Sequence, residues 1–292
     1  MRLRRGCVDM RLRRVAASHD AAADARRHPG ELPAERLGRP GEAAAYGGTA
    51  PVRPATLASM TMPTPARPAP RTVRSVVARM SALGAALPPG DGVAVFNGVY
   101  LSVTEEVGRR LADGYFHDPA ATEELDVRFA ERYLTAVDAV TTGGRPPACW
   151  RPLFQLRCHP GVRPVQFALA GINAHIGHDL ALALLDTCRA RDLEPDALEG
   201  DFDRIGELLA GMEERIREEL MPGPDLLDVA DPLTHLVGSW SLEKARDAAW
   251  AAFRALWGLR AVPELAEEFA ERVDATVGLV GRFLLTPLPS AC

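Results

Sequence analysis

Val165 to Asp186 reads VQFALAGINAHIGHDLALALLD. It is apolar along almost its whole length, yet Asn173, His175, His178 and Asp179 stand at its middle. A helix that is apolar nearly all round is one surrounded by other helices. The length also suits a membrane span, but two histidines and an aspartate at the midpoint would each cost several kcal/mol in lipid. The expectation is therefore a buried core helix and no membrane. At about 100° per residue, His175, His178, Asp179 and Asp186 share one face, Asn173 and Gln166 lie nearly opposite, and Ala170, Ala174, Gly177 and Ala181 form a small-residue stripe between them.

Amphipathic helices surround this stretch on both sides. Val73, Val76, Val77, Met80, Leu83 and Leu87 recur at three- and four-residue steps until Pro88-Pro89-Gly90 stops them. VAVFNGVYLSVTEEVGRRL continues to Leu111, and Asp118-Pro119 opens a third helix with the aspartate as cap and the proline in the first turn. A proline-rich link, RPPACWRPLFQLRCHPGVRP, leads into the central helix, anchored on the core by Trp150, Leu153 and Phe154. Beyond it, Asp196 or Asp201 caps a helix through Ile216, Trp250, Phe253 and Trp257 mark another, and Pro263 opens the last. No strand run, phosphate loop or internal repeat stands out. The expected fold is all-α, a single-domain bundle of about seven helices around one buried central helix over residues 71–292.

Composition narrows the function classes. Hydrophobic residues make up 47% of the 292 positions, enough for a core, and Lys244 is the only lysine. The net charge of −5 conceals a split: residues 1–70 hold 12 arginines and 6 acidic residues, leaving 22 basic against 33 acidic residues in the remainder. An acidic body argues against nucleic-acid binding, which needs cationic grooves. Residues 1–70 mix Arg, Pro and Ala without periodicity, so the expectation there is a disordered arm, or translation that truly begins at Met60 or Met62. The cysteines, Cys7, Cys149, Cys158, Cys188 and Cys292, are odd in number and form no C-x-x-C pair. Neither a disulfide framework nor a thiolate zinc site is indicated, and a reducing cytoplasm is the default location.

The chemistry sits on the central helix. His175 and Asp179 are four residues apart, so both side chains reach one point beside the helix, as paired metal ligands do. His178 either joins them or acts as a base. Asp203 on the following helix is the nearest supply of a third ligand, with Asp201 and Glu207 beside it; His117, Asp126, Glu105 and Glu106 are less constrained. The opposing interpretation is structural: a buried histidine donating to a carboxylate one turn away satisfies two polar groups. Gln166, Asn173 and Asp201 are expected to be structural polar residues.

Several separated segments carry a resemblance: DGVAVFNGVYLSVTEEV, the W-x-P-L-F of Trp150 to Phe154, QFALAGINAHIGHDLALAL, DFDRI at 201–205 and WSLEKARDAAW. In that order they resemble domain-of-unknown-function family 5995 of high-GC bacteria, over about residues 90–286. The resemblance brings no activity. It implies that Asn173, His175, Asp179 and Leu180 of the N-A-H-I-x-x-D-L pattern, with Asp201 and Asp203, are the family signature. This chain has Gly177 and Gly206 where such proteins often carry Asn. Two functions follow as expectations. One is a metal-dependent hydrolase or lyase of a small molecule, with His175, His178 and Asp179 catalytic and His175, Asp179 and Asp203 holding a divalent metal. The other is a non-catalytic helical domain that binds a small apolar ligand or a protein partner, its polar cluster being structural.

Overall fold

A computed structural model describes residues 71–220 and 241–287. The N-terminal arm and the segment 221–240 lie outside the described residues. Among those described, every regular element is helical. In chain order these are α1 (Val73–Ala86), α2 (Gly92–Ala112), α3 (Pro119–Thr141), α4 (Arg151–Leu156), α5 (Pro164–Arg191), α6 (Asp196–Leu220), α7 (Leu242–Gly258) and α8 (Pro263–Leu284). The helix beyond the expected seven is α4, a short turn within the proline-rich link. Its Pro152 sits in the first turn, where a missing N–H costs nothing.

Local chemistry sets the ends. Thr72 and Ser75 close a reciprocal capping box on α1. The Asp91 carboxylate accepts from Val93 N at the start of α2 (2.9 Å), and Asp118 accepts from Ala121 N ahead of Pro119. Asp91 does more than cap: the Arg157 Nε donates to both its oxygens (2.8 and 2.7 Å), pinning the end of α4 to the start of α2 in a buried ion pair.

The helix α5 organises the rest. By length and composition it is long and apolar enough to cross a membrane, with mean hydropathy 1.3, but 78% of its apolar window is buried inside the protein. Its first half packs between α2 and α8, and its second half between α3 and α7. Two apolar cores result. One is built around Phe96, Tyr133 and Trp150, the other around Leu184, Phe202 and Phe253, and Phe129 and Ile172 pack against both. A close approach fixes α2 against α5: a Cβ on Gly171 would fall 2.3 Å from the Phe96 ring.

The helix α5 is not regular throughout, which departs from the uniform helix expected. Residues His175–Asp179 form a single π turn, in which the Leu180 N–H reaches the His175 carbonyl five residues back. The wider turn falls on the polar cluster itself and shifts the helical phase between the two halves of α5.

Candidate functional site

Asp179 is the hub of the cluster. It is 1% exposed and accepts three hydrogen bonds. The Trp150 indole N–H (2.9 Å) and His175 Nδ1 (3.1 Å) meet its Oδ2, and His178 Nδ1 (2.8 Å) meets its Oδ1. Burial by itself raises a carboxyl pKa, but the bonds from the two histidines outweigh it here and hold Asp179 below its ordinary value. An ionised carboxylate only accepts, so each histidine presents Nδ1–H to it and turns Nε2 outward.

The two Nε2 atoms look in different directions. His178 turns toward α8, where its Nε2 lies 4.0 Å from Asp274 Oδ1. The His175 ring lines a cavity of about 130 Å³ bounded by α2, α3, α5, α6 and α7. The walls are almost entirely apolar, with Phe96, Val103, Phe129, Ile172, Leu180 and Phe202 among them. Phe129 stacks flat on the imidazole, with centroids 3.5 Å apart and 5° between planes, and Tyr100 meets it edge-on at 4.3 Å.

Three buried polar atoms on residues that line this cavity have no hydrogen-bond partner by distance and angle among the described residues: His175 Nε2, Asp126 Oδ2 and the Tyr100 hydroxyl. Thr104, one turn on, donates to the Tyr100 backbone carbonyl (2.9 Å). Buried polar atoms are rarely left unpaired, and each such case calls for a reason. Burial lowers the His175 pKa below its ordinary value, with the Asp179 bond opposing, so the imidazole is neutral at pH 7 and Nε2 carries a lone pair. Burial, helped by the charge of Glu123, pushes Asp126 up to about 7. Burial likewise raises Tyr100 well above its ordinary value, leaving the phenol protonated. The cavity therefore offers an acceptor, a donor and a carboxyl that titrates near neutrality. Arg246 completes the polar lining, its guanidinium over the Phe202 ring (4.0 Å to the centroid) and donating to the Phe202 carbonyl.

The proposed ligand set needs correcting. Among the described residues, His175, Asp179 and Asp203 do not bring their ligand atoms within metal-binding range of one another. Asp203 is exposed, whereas Asp201, two residues earlier on α6, is buried. Two helical residues differ by about 200° in direction, so the pair cannot both face inward. Asp201 accepts from His117 N (2.7 Å), Asp118 N (2.8 Å) and the Thr122 hydroxyl (3.2 Å), tying α6 to the start of α3. His178, placed with His175 on one catalytic face by helix counting, does not line the cavity, because the π turn sends it to the other side of Asp179.

Gln166 and Asn173, in the first half of α5, are engaged with backbone. Gln166 accepts from Arg163 N (3.0 Å) and donates to the Leu284 and Thr286 carbonyls (2.8 and 2.9 Å). Asn173 donates to the Val277 carbonyl (3.0 Å). Both bind α8 or its end to α5. The two glycines standing in place of Asn are packed: a Cβ on Gly177 would lie 3.1 Å from Val277, and one on Gly206 would lie 3.3 Å from the Arg246 guanidinium. Tyr100 and Asp274 were absent from the sequence reading. Asp126 does carry a signal, being a carboxylate on the same helical face as Phe129 and Tyr133.

No curated protein and no solved structure matches the chain. The model of a family of unknown function, DUF5995, matches residues 73–287, the same span that holds α1 to α8, the Asp179 hub and the cavity, and the chain belongs to that family.

Proposed function

We propose that the protein binds a small, largely apolar molecule carrying one hydrogen-bonding group, and that His175 receives that group. The observation that carries this reading is the His175 imidazole: Nδ1 is fixed by the Asp179 carboxylate, Nε2 is buried and unpartnered among the described residues, and the ring belongs to the lining of an apolar cavity. An apolar cavity of about 150 Å³ holds a molecule the size of benzene, so this volume suits a single ring or a short branched chain. The desolvation of Nε2 has already been incurred in folding, so a ligand O–H that reaches it recovers about 1–2 kcal/mol.

Titrating the full chain with phenol and with benzene tests the reading. Phenol is expected to bind about tenfold more tightly, and His175→Asn, which keeps a donor for Asp179 but removes the Nε2 acceptor, is expected to erase the difference. Equal affinity for the two probes in the wild-type chain sinks the proposal.

A second reading, proton transfer on the bound molecule, draws on Asp126. An acid with a pKa of about 7 and an oriented neutral imidazole line the same cavity, and the two groups can donate and accept protons at neutral pH. Exchange of the α-hydrogens of cyclopentanone in heavy water tests it, with acceleration over buffer that His175→Asn removes; no acceleration ends that reading. The metal-dependent hydrolase or lyase is the weaker account of the cavity, since Asp203 does not approach His175.

A further inference from the structure

We propose that Cys149 Sγ, His178 Nε2 and an Asp274 carboxylate oxygen hold a divalent ion of the zinc class where the link before α4, the π turn of α5 and the middle of α8 meet. The three ligand atoms lie within 4.8 Å of one another, and among the described residues they are the group of this kind that gathers so closely. They come from three separate elements, so this closeness is a product of tertiary packing rather than of sequence spacing.

The distances and orientations suit an ion. His178 Nε2 and Asp274 Oδ1 are 4.0 Å apart, beyond hydrogen-bond range. In a tetrahedral zinc site, bonds of about 2.0–2.2 Å to nitrogen and oxygen put two ligands about 3.4 Å apart, so the pair must close by about half an ångström to share one ion. His178 is already aimed: Asp179 holds its Nδ1 at 2.8 Å, the carboxylate–histidine arrangement that fixes the tautomer of a metal-binding imidazole. Asp274 is aimed as well, its two oxygens accepting from Ala148 N and Cys149 N at 2.8 Å each. Cys149 is 1% exposed and its thiol interacts with Asp274. Binding would release the thiol proton to solvent and leave a thiolate on the metal.

Donor chemistry selects the ion. Thiolate, imidazole and carboxylate together suit zinc or cobalt and disfavour magnesium and calcium, which take oxygen ligands. Among the described residues no further His, Cys, Asp or Glu joins the group, and the Asp274 side chain is 20% exposed, so water is the fourth ligand. The ion would clamp α8 and the link to α5 on the side of Asp179 away from the cavity. The inference is thus independent of ligand binding there.

The full chain, produced with added zinc and dialysed against metal-free buffer, supplies the test. Elemental analysis is expected to find stoichiometric zinc, and cobalt exchange is expected to give a thiolate-to-cobalt charge-transfer band. Cys149→Ser abolishes the band, and His178→Asn, which keeps the donor to Asp179, lowers metal content with helical circular dichroism retained. If Cys149→Ser does not fold, zinc-edge X-ray absorption of the wild-type chain reads the same bond as a sulfur neighbour at about 2.3 Å. Absence of zinc from the wild-type chain, a band that survives Cys149→Ser, or a zinc shell of nitrogen and oxygen alone overturns the proposal.

Discussion

Replacing Asp126 by Asn should stabilise the protein by about 3 kcal/mol more at pH 8 than at pH 5. The Asp126 carboxyl is buried, one of its oxygens has no partner among the described residues, and its pKa rises from 3.8 in a free side chain to about 7. The folded state therefore holds a proton that the unfolded state has already released over the interval between those two values. A raised folded pKa gives stability that is full below the unfolded pKa and is lost as pH climbs through the folded one. Each unit is worth about 1.4 kcal/mol, so between pH 5 and pH 8 the wild-type chain should lose about 3 kcal/mol relative to Asp126→Asn, whose amide does not titrate. Urea denaturation of both chains at the two pH values measures it, and taking the difference cancels the titration of shared carboxylates. A wild-type chain that gains on the variant as pH rises, or a difference that stays flat, refutes the burial argument. It also removes Asp126 from the donors available to a ligand at neutral pH.

Other consequences follow from packing and the buried ion pair. Gly171→Ala places a methyl 2.3 Å from the Phe96 ring, and the overpacking should cost about 1–3 kcal/mol of unfolding free energy; Gly211→Ala, with nothing within 4 Å, is the control that should cost almost nothing. Asp91→Ala strands the buried Arg157 guanidinium and uncaps α2, for an expected loss of about 3–5 kcal/mol by chemical denaturation. Trp150→Phe deletes the indole donor to Asp179 and one of the two fused rings of a fully buried side chain, and a fall of about 2–3 kcal/mol in the same assay is expected.

Much of the fold was legible because its signals are local. Asp118-Pro119 and Pro88 mark helix ends through short-range hydrogen bonds and sterics, and the observed ends fall within a residue or so of them. The burial of Val165 to Asp186 follows from apolar residues on nearly every side, with too few polar ones to make a solvated face. The short helix α4 was hidden by a proline-rich link in which Pro152 belongs to a first helical turn rather than to a loop. The π turn left no trace in HIGHD, since five-residue hydrogen bonding is a choice between nearly equal backbones that packing against α3, α7 and α8 decides. That turn is also why helix counting put His175 and His178 together when Asp179 in fact separates their outer nitrogens. Asp203 was a misjudged register on α6, and the inward residue is Asp201. Cys149 and Asp274, 125 positions apart, are joined by a backbone hydrogen bond, a long-range fact no spacing rule contains.

The imidazole nitrogens report on the central claim most directly. With nitrogen-15 histidine in the full chain, and the His175 signals assigned by their loss in His175→Asn, Nε2 should appear as the non-protonated nitrogen of a neutral ring at pH 7. Saturating phenol should shift that resonance as it accepts a hydrogen bond, while saturating benzene should leave it nearly in place. An Nε2 signal that is protonated in the free protein, or one that phenol does not move, contradicts the assignment of His175 as the ligand-receiving group.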